Sequence, residues 1–128
     1  MHLIHKVGAI ILKDRKILVA KKQDTFIIPG GRIEAGETEE ECLRRELQEE
    51  LGVDLRSAQY FATFEDAASL DPGKRVRMTI YTATIQGNPQ PSAEITEIAY
   101  INSQHNLKIG GVLQKYILPA LLQQGQID

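Results

Sequence analysis

The chain has 128 residues, of which 42% are hydrophobic and 25% are charged, close to the averages for soluble globular proteins. This composition excludes a disordered chain, a fibrous repeat and a disulfide scaffold, and the length predicts one domain spanning residues 1–128. The 15 Lys and Arg residues and 17 Asp and Glu residues give a formal net charge of −2. We therefore expect no general basic surface for a nucleic acid polymer.

Cys42 is the only cysteine, which excludes an internal disulfide and a Cys-rich zinc site. This usage predicts a reducing, cytoplasmic location, and Cys42 itself is expected to pack rather than to act as a nucleophile. The segment from Met1 to Lys6 lacks the basic-then-apolar order of a signal peptide. No run approaches the roughly 20 apolar residues of a membrane span, so no membrane association is expected.

The first third of the chain predicts three short strands. Residues 7–12 and 17–20 are rich in β-branched side chains and flank the polar run 13–16, which is typical of a β-hairpin. Residues 25–28 form a third apolar run. The Pro-Gly-Gly sequence at 29–31 is expected to end that run in a tight turn, because glycine permits backbone angles closed to other residues.

Residues 38–51 form the clearest predicted helix. Thr38 and Glu41 match a capping box, and Gly52 lies where a C-terminal cap is expected. Leucines recur every four residues and predict the buried stripe of this helix. The three leucines are Leu43, Leu47 and Leu51.

The second half of the chain predicts further strands and a last helix. The strands are expected at residues 59–64, 76–85 and 95–101. The polar segment 65–75 predicts a flexible loop, and residues 112–122 predict a helix that Pro119 ends or kinks. This order of elements indicates an α+β protein with a mixed β-sheet sandwiched between helices, an α/β/α arrangement.

Three glutamates of the predicted helix indicate a metal site. At about 100° per residue, Glu46 and Glu50 lie about 40° apart, and Glu49 lies about 60° from Glu46. Like charges at this spacing repel by a few tenths of a kcal/mol per pair, and divalent cations would relieve that repulsion. Oxygen ligands without His or Cys favour Mg²⁺ or Mn²⁺ over Zn²⁺. A solvated acidic face is the alternative interpretation of these residues alone.

The segment 31–53 resembles the Nudix box, in which a Gly, a Glu, an Arg-Glu pair, a Glu-Glu pair and a second Gly recur at fixed spacing. Every fixed position is matched, by Gly31, Glu37, Arg45, Glu46, Leu47, Glu49, Glu50, Gly52 and Val53. The strands before the box and the pattern at 93–101 after it also resemble a small MutT-like Nudix protein. The resemblance therefore extends over most of the chain and implies a Nudix fold.

The same resemblance implies hydrolysis of a nucleoside diphosphate linked to another group X, with Mg²⁺ or Mn²⁺ assisting the attack of water on phosphorus. By analogy, Glu46, Glu49, Glu50 and the main-chain carbonyl of Gly30 coordinate the metal. Phosphoryl transfer needs positioning and charge neutralisation more than covalent chemistry, and a carboxylate cluster that holds metals agrees with this need.

Two further roles come from the resemblance. Arg45 is expected to pair with Glu37 and to brace the loop against the helix, with an ordinary surface ion pair as the alternative. A carboxylate outside the box often completes such sites as a ligand or base. Glu94 is the first candidate and Glu97 the second, and a solvated strand-edge residue is the alternative for either. Glu50 is the other candidate for the base.

Basic residues that could bind phosphate lie at two places. Lys21 and Lys22 end the second predicted strand, where relatives often carry a phosphate-binding Arg, and one of them is expected to contact the pyrophosphate. Lys74, Arg75 and Arg77 lie beside the predicted loop and are candidates for contacts with a triphosphate. Solvated surface charge is the alternative for these three.

The substrate is indicated mainly by what the sequence lacks. Ala68 stands where the ADP-ribose subgroup usually carries a proline, and the coenzyme A signature before the box is missing. The default substrate is therefore a (deoxy)nucleoside triphosphate, cleaved to monophosphate and pyrophosphate, with an oxidised purine nucleotide such as 8-oxo-dGTP as a candidate. The alternatives are an NDP-sugar or ADP-ribose pyrophosphatase and a non-catalytic nucleotide-sensing module. The protein is expected to be a monomer or a homodimer.

Overall fold

The computed structural model describes residues 3–68 and 71–128. Met1 and His2, part of the segment searched for a signal peptide, lie outside the described residues. Ser69 and Leu70, part of the predicted loop 65–75, also lie outside them. Within the described residues, no helix is long and apolar enough to cross a membrane.

As predicted, strands precede α1, three more strands follow it and a second helix comes after them, but five strands precede α1 where three were predicted. The strands are β1 (Leu3–Ile10), β2 (Leu12–Lys13), β3 (Lys16–Lys22), β4 (Thr25–Ile27), β5 (Gly30–Arg32), β6 (Asp54–Ala67), β7 (Arg75–Gln86) and β8 (Ile95–Ile101). The helices are α1 (Glu39–Leu51) and a C-terminal helix made of a π-helical turn (Leu113–Ile117) and α2 (Leu118–Gln123).

The strands belong to two sheets. The first has the order β5-β1-β7-β6, with β1 and β7 parallel and the other neighbours antiparallel. In the second, all pairs are antiparallel, and β3 pairs with β8 on one edge and with β2 and β4 on the other. The mixed sheet with helices packed against it confirms the predicted α+β fold.

Two buried clusters explain the layered arrangement. Alternate residues of a strand point to opposite faces, so Val7 of β1 packs with Leu43 and Leu47 of α1. Ile4 of the same strand packs instead with the C-terminal helix through Ile117 and its neighbours. The strands therefore lie between the two helices.

Helix α1 begins and ends as predicted. The Thr38 hydroxyl accepts a hydrogen bond from the Glu41 N–H at 3.1 Å, and a Glu41 carboxylate oxygen accepts one from the Thr38 N–H at 2.8 Å. Gly52 closes the helix with a left-handed φ of 66°. The predicted leucine stripe is fully buried, and each leucine contributes about 1.5–3 kcal/mol of burial free energy. These contacts fix the helix that carries the box glutamates.

The prediction for the first third of the chain was partly wrong. Residues 7–12 do not form one strand, because the chain passes from the mixed sheet to the antiparallel sheet at Ile11. The hairpin is formed by β2 and β3, with Leu12 opposite Ile17. The third apolar run ends at Ile27, as predicted, but Gly30 and Gly31 belong to a separate strand, β5, which pairs with β1 in the other sheet.

The strands β6 and β7 are longer than predicted. Their antiparallel pairing runs from Asp54 opposite Gln86 to Ala67 opposite Arg75. The predicted loop 65–75 is therefore shorter by three residues at its start. Polar side chains misled the prediction because β6 is the edge strand of its sheet and exposes most of them, while its backbone is hydrogen-bonded to β7.

The C-terminal helix continues through Pro119 instead of ending there. Proline lacks an N–H, and its ring clashes with the carbonyl four residues earlier in a regular helix. Here a π-helical turn precedes it, in which the Leu118 N–H bonds to the Leu113 carbonyl. The wider turn accommodates the proline, as π-helical turns do elsewhere in helices.

Candidate active site

Glu50 is a buried carboxylate at the contact between α1 and β5. It lies at the C-terminal end of α1, next to the buried leucine stripe, and retains 6% of its accessible surface. The Gly30 N–H donates a hydrogen bond of 2.9 Å to Glu50 Oε1. Burial raises the pKa of Glu50 to about 7, against the opposing effect of the Gly30 hydrogen bond. A nearby cation would therefore hold this carboxylate ionised.

Glu46 lies one turn earlier on α1 and packs against the glycine backbone of β5. Burial raises its pKa, while its hydrogen bond with Arg45 opposes that rise. A Cβ added to Gly31 would overlap the Glu46 carboxylate. The absence of a side chain at Gly31 therefore leaves the space in which the Glu46 carboxylate lies.

Arg45 links the loop before α1 to the helix. Its guanidinium donates hydrogen bonds of 2.6 and 3.0 Å to the two carboxylate oxygens of Glu37 and one of 2.9 Å to Glu46. It also donates to the Arg32 carbonyl at 3.2 Å. The Arg45 hydrogen bond lowers the pKa of Glu37 to about 2. These bonds connect Glu46 to the loop before α1 through Arg45.

Glu49 stands at the rim of the site. Its side chain is 53% exposed, and its nearest cation is Arg45, at 3.5 Å from Nη1 to Glu49 Oε1. Glu46, Glu49 and Glu50 all line one cleft of about 350 Å³. The structure thus brings together on one wall the three carboxylates that the sequence singled out.

The opposite wall comes from distant parts of the chain. Lys22, at the end of β3, forms an ion pair of 2.8 Å with Glu94, and the Lys22 hydrogen bond lowers the pKa of Glu94. Both residues line the cleft. Glu97 does not line it and lies opposite Lys21 in the pairing of β8 with β3.

Two of the candidate phosphate-binding residues lie elsewhere. The Nζ of Lys21 is 5.9 Å from the centre of the Phe26 ring. Arg77 forms an ion pair of 3.1 Å with Glu65. Neither side chain lines the cleft.

Comparison with known protein families identifies the family to which this chain belongs. The chain matches the NUDIX domain over residues 3–120. The protein belongs to the Nudix family. Homologues in this family act on pyrophosphate bonds and generally use divalent metals.

Relatives of known activity match part of the chain. An 8-oxo-dGTP diphosphatase of Escherichia coli is 42% identical over 78 residues, covering 56% of this chain and 58% of that protein. An ADP-ribose pyrophosphatase of Methanocaldococcus jannaschii is 43% identical over 58 residues, covering 41% of this chain and 34% of that protein. These matches span less than two thirds of either relative.

The fold matches Nudix proteins over nearly the full chain. The crystal structure of a MutT Nudix hydrolase from Burkholderia pseudomallei superposes with a TM-score of 0.75 at 21% identity, covering 97% of this chain and 98% of that one. At this identity the likeness establishes the fold alone.

The donor set of this Nudix site fits a hard divalent cation. Glu46 and Glu50 are carboxylates held in a cleft, and Glu46 occupies a space that a Cβ on Gly31 would fill. Carboxylate oxygens are the ligands that Mg²⁺ and Mn²⁺ prefer. Among the described residues, no three His, Cys, Asp or Glu side chains already converge as a complete ligand set. The side chains would therefore have to rotate toward the cation.

Three charged residues of the cleft were not predicted as site residues from the sequence. They are Lys6, Arg32 and Asp71. Lys6 left a weak signal, since it interrupts the apolar pattern of β1, but a lysine in a strand is usually a solvated residue. Asp71 could not be identified from the sequence, because it is distant along the chain from the box glutamates and lines the cleft only in the folded protein. Cys42 is buried, which raises the pKa of its thiol to about 12, in agreement with the predicted packing role.

Proposed function

We propose that this Nudix protein is a Mg²⁺-dependent pyrophosphohydrolase that cleaves a nucleoside diphosphate linked to a group X. The observation that carries the proposal is one cleft with three glutamates on one wall and cationic side chains, including Lys22, on the other. Carboxylates alone would repel a phosphate chain. Carboxylates that hold Mg²⁺ or Mn²⁺ and face cationic residues would bind it.

The residues divide into metal-holding and positioning groups. Glu46, Glu49, Glu50 and the Gly30 carbonyl would hold the cation. When bound, Mg²⁺ would neutralise phosphate charge and make the attacking water more acidic. Lys22 would bind the pyrophosphate as a point charge.

Arg45 and Glu37 act in this proposal as positioning residues. The bidentate ion pair between them fixes the loop before α1 against the helix. The remaining guanidinium bond holds Glu46 beside Gly31. We expect substitution of either residue to change metal affinity more than it changes proton transfer from the attacking water.

Glu94 is the proposed acceptor of the proton from the attacking water. It lines the cleft, and the Lys22 hydrogen bond lowers its pKa, so it is ionised at neutral pH. Glu50 is the other candidate for the base. Glu97 is less favoured because it does not line the cleft.

The proposed substrate is a (deoxy)nucleoside triphosphate, cleaved to monophosphate and pyrophosphate, with an oxidised purine nucleotide as a candidate. The match to an 8-oxo-dGTP diphosphatase covers 56% of the chain, against 41% for the ADP-ribose pyrophosphatase. Hydrolysis of ADP-ribose or an NDP-sugar is the alternative. We also propose a reducing, cytoplasmic location, which the presence of one cysteine supports, and a monomeric or homodimeric protein.

A nucleotide panel with product identification tests this function. Purified protein is incubated with Mg²⁺ or Mn²⁺ and with triphosphates, 8-oxo-dGTP, ADP-ribose and NDP-sugars, and the products are separated by ion-exchange chromatography. Monophosphate plus pyrophosphate from a triphosphate supports the proposal, whereas two monophosphates from ADP-ribose support the alternative. Tight binding without turnover of any nucleotide would indicate a sensing module and contradict the proposed activity.

A further inference from the structure

Strand β6 forms a long edge of the mixed sheet. It has 14 residues, whereas β5, at the other edge of the same sheet, has three. Among the described residues, no element except β7 hydrogen-bonds to the backbone of residues 56–64. The edge of a sheet presents unpaired N–H and C=O groups with which another chain can pair.

Side chains of the two helices contact the backbone at the two ends of this strand. Arg44 of α1 donates a hydrogen bond of 3.0 Å to the Leu55 carbonyl. The Tyr116 hydroxyl, from the π-helical turn, donates one of 3.5 Å to the Glu65 carbonyl. The part of β6 that the rest of the described chain leaves open therefore lies between these contacts.

The open part of β6 is uncharged. Residues 57–64 contain no Asp, Glu, Lys or Arg, and no Gly or Pro. A groove of about 760 Å³ lies beside them, and no charged side chain of the described residues lines it. Tyr60 lines this groove and is 58% exposed. Depletion of charge and enrichment in aromatic residues are typical of the centres of protein interfaces.

Opposite charges flank this uncharged segment. Arg56 precedes it and Glu65 follows it. Arg56 has no hydrogen bond or ion pair with any described residue. Glu65 uses Oε2 in its ion pair of 3.1 Å with Arg77, and its Oε1 has no partner within residues 3–68 and 71–128. Both charges are therefore available to a second chain.

This order of charges makes β6 complementary to a second copy of itself. In an antiparallel pair of β6 strands, a two-fold axis between Tyr60 and Phe61 places Arg56 of each copy opposite Glu65 of the other. Opposite charges that face each other across a strand pair stabilise it. A parallel pair in register would instead place like charges together. The two-fold arrangement is also the usual symmetry of a homodimer.

We propose that this protein forms a homodimer in which the β6 strands of two copies pair antiparallel and join the two mixed sheets. A bulge lies between Tyr60 and Ala62, at the two-fold axis. The ladder would therefore consist of two symmetric parts, with residues 57–59 of each copy opposite residues 62–64 of the other. This inference goes beyond the proposed function, and it leaves both clefts accessible because each cleft borders β5, at the opposite edge of its sheet.

The alternative is an edge that the protein keeps unpaired. Strand β6 has bulges between Leu55 and Ser57 and between Tyr60 and Ala62. Bulges are one of the devices by which natural sheets keep their edges from associating. In that case Arg56 and Glu65 are ordinary surface charges and the protein is a monomer. Reversal of these two charges separates the alternatives.

Sedimentation equilibrium at micromolar to millimolar protein concentrations provides the test. It compares wild type, Arg56→Glu, Glu65→Arg and an equimolar mixture of these two variants. Lys16→Glu is the control, because it reverses the charge of an exposed residue on β3, outside the proposed interface. Urea denaturation of each protein checks that the substitutions leave the fold intact.

We expect wild type and Lys16→Glu to dimerise with the same dissociation constant. Each single reversal in β6 should weaken dimerisation about tenfold or more, because two opposite-charge pairs per dimer become like-charge pairs. The mixture should associate again, since both pairs are attractive when an Arg56→Glu chain meets a Glu65→Arg chain.

Three results would overturn the inference. They are a wild type that is monomeric at every concentration, a dimer that neither reversal weakens, and a mixture that associates no better than its components. Nucleotide hydrolysis per chain should be equal in wild type and Arg56→Glu. A dimer that hydrolyses no nucleotide would contradict the proposed function alone, so the two failures are distinguishable.

Discussion

The two walls of the cleft are built in different ways. The box wall, residues 31–53, is held by interactions between residues close in sequence, such as Arg45 with Glu37 and the Thr38 capping box. The opposite wall consists of long side chains from β1, β3 and the segment before β8, with the Lys22–Glu94 ion pair on an exposed surface. Short-range bonds of the first kind suit the positioning of the proposed metal ligands, and long side chains suit the proposed binding of a phosphate chain.

The difference is also energetic. Burial raises the pKa of Glu50 and, against the Arg45 hydrogen bond, that of Glu46, so ionising these carboxylates costs free energy that a bound cation would offset. Glu94 has its pKa lowered by Lys22, and an exposed pair of this kind contributes under about 1 kcal/mol. Substitutions in the box wall should therefore have larger effects than those in the opposite wall.

The largest expected effect is the loss of catalytic activity in the Glu50→Gln variant. The glutamine amide oxygen can still accept the Gly30 hydrogen bond, so the wall keeps its shape while losing a charged ligand. We expect kcat to fall by about 100-fold or more, measured as pyrophosphate release with Mg²⁺. Glu40→Gln, an exposed substitution on the same helix, is the control and should leave kcat unchanged. Similar rates for the two variants would mean that the box wall does not carry the chemistry.

The second effect is a pH dependence of stability in the metal-free protein. Burial raises the pKa of Glu50 from about 4.5 to about 7, so the folded state binds more protons than the unfolded state between these values. Stability should therefore fall as pH rises from 4.5 to 7 and level off above 7, by on the order of 3 kcal/mol for this group. Urea denaturation in EDTA should show this slope weakened in Glu50→Gln. A slope unchanged by the substitution would contradict the assigned cause.

The third effect comes from crowding at Gly31. Gly31→Ala places a Cβ against the Glu46 carboxylate, which is the far end of a flexible side chain and would move and lose its hydrogen bond with Arg45, at a cost of about 1 kcal/mol. In a Glu46→Ala background the same substitution should cost much less, because the opposing group is gone. Thermal denaturation of the four proteins in this cycle measures the coupling. Additive effects would show that the two groups do not compete for space.

The smallest effect concerns the opposite wall. Glu94→Gln should lower kcat more than Glu97→Gln, since Glu94 lines the cleft and Glu97 does not. Both substitutions remove one exposed charge, so their effects on stability should be small and similar, under about 1 kcal/mol. Steady-state kinetics on the best substrate of the panel gives the comparison. A larger loss of kcat in Glu97→Gln would reverse the assignment.

Local interactions explain which features the sequence could predict. The helix 38–51, its caps and the grouping of Glu46, Glu49 and Glu50 follow from residue spacing within about four turns of helix. The Nudix box also predicted the partners Arg45 and Glu37, which are eight positions apart. Strand ends were less predictable. The polar residues of the edge strand β6 lack the apolar pattern from which the full length of its pairing with β7 could be predicted.

The opposite wall depends on contacts between distant residues. Lys22 and Glu94 form an ion pair because β3 pairs with β8, and residue spacing along the chain does not predict that pairing. Lys6 reaches the cleft because β1 pairs with β5, beside the box. The sequence therefore predicted the grouping of the box glutamates and named Lys22 and Glu94, which line the cleft, whereas Lys6, Arg32 and Asp71 were not predicted to lie there.

The most direct test of the account is the release of pyrophosphate from a nucleoside triphosphate as a function of Mg²⁺ concentration. Wild type, Glu50→Gln and Glu40→Gln are compared under identical conditions. The account predicts turnover that is absent in EDTA, rises to saturation with Mg²⁺ in wild type and Glu40→Gln, and is reduced about 100-fold or more in Glu50→Gln. Turnover that persists in EDTA, or that Glu50→Gln leaves unchanged, would contradict it.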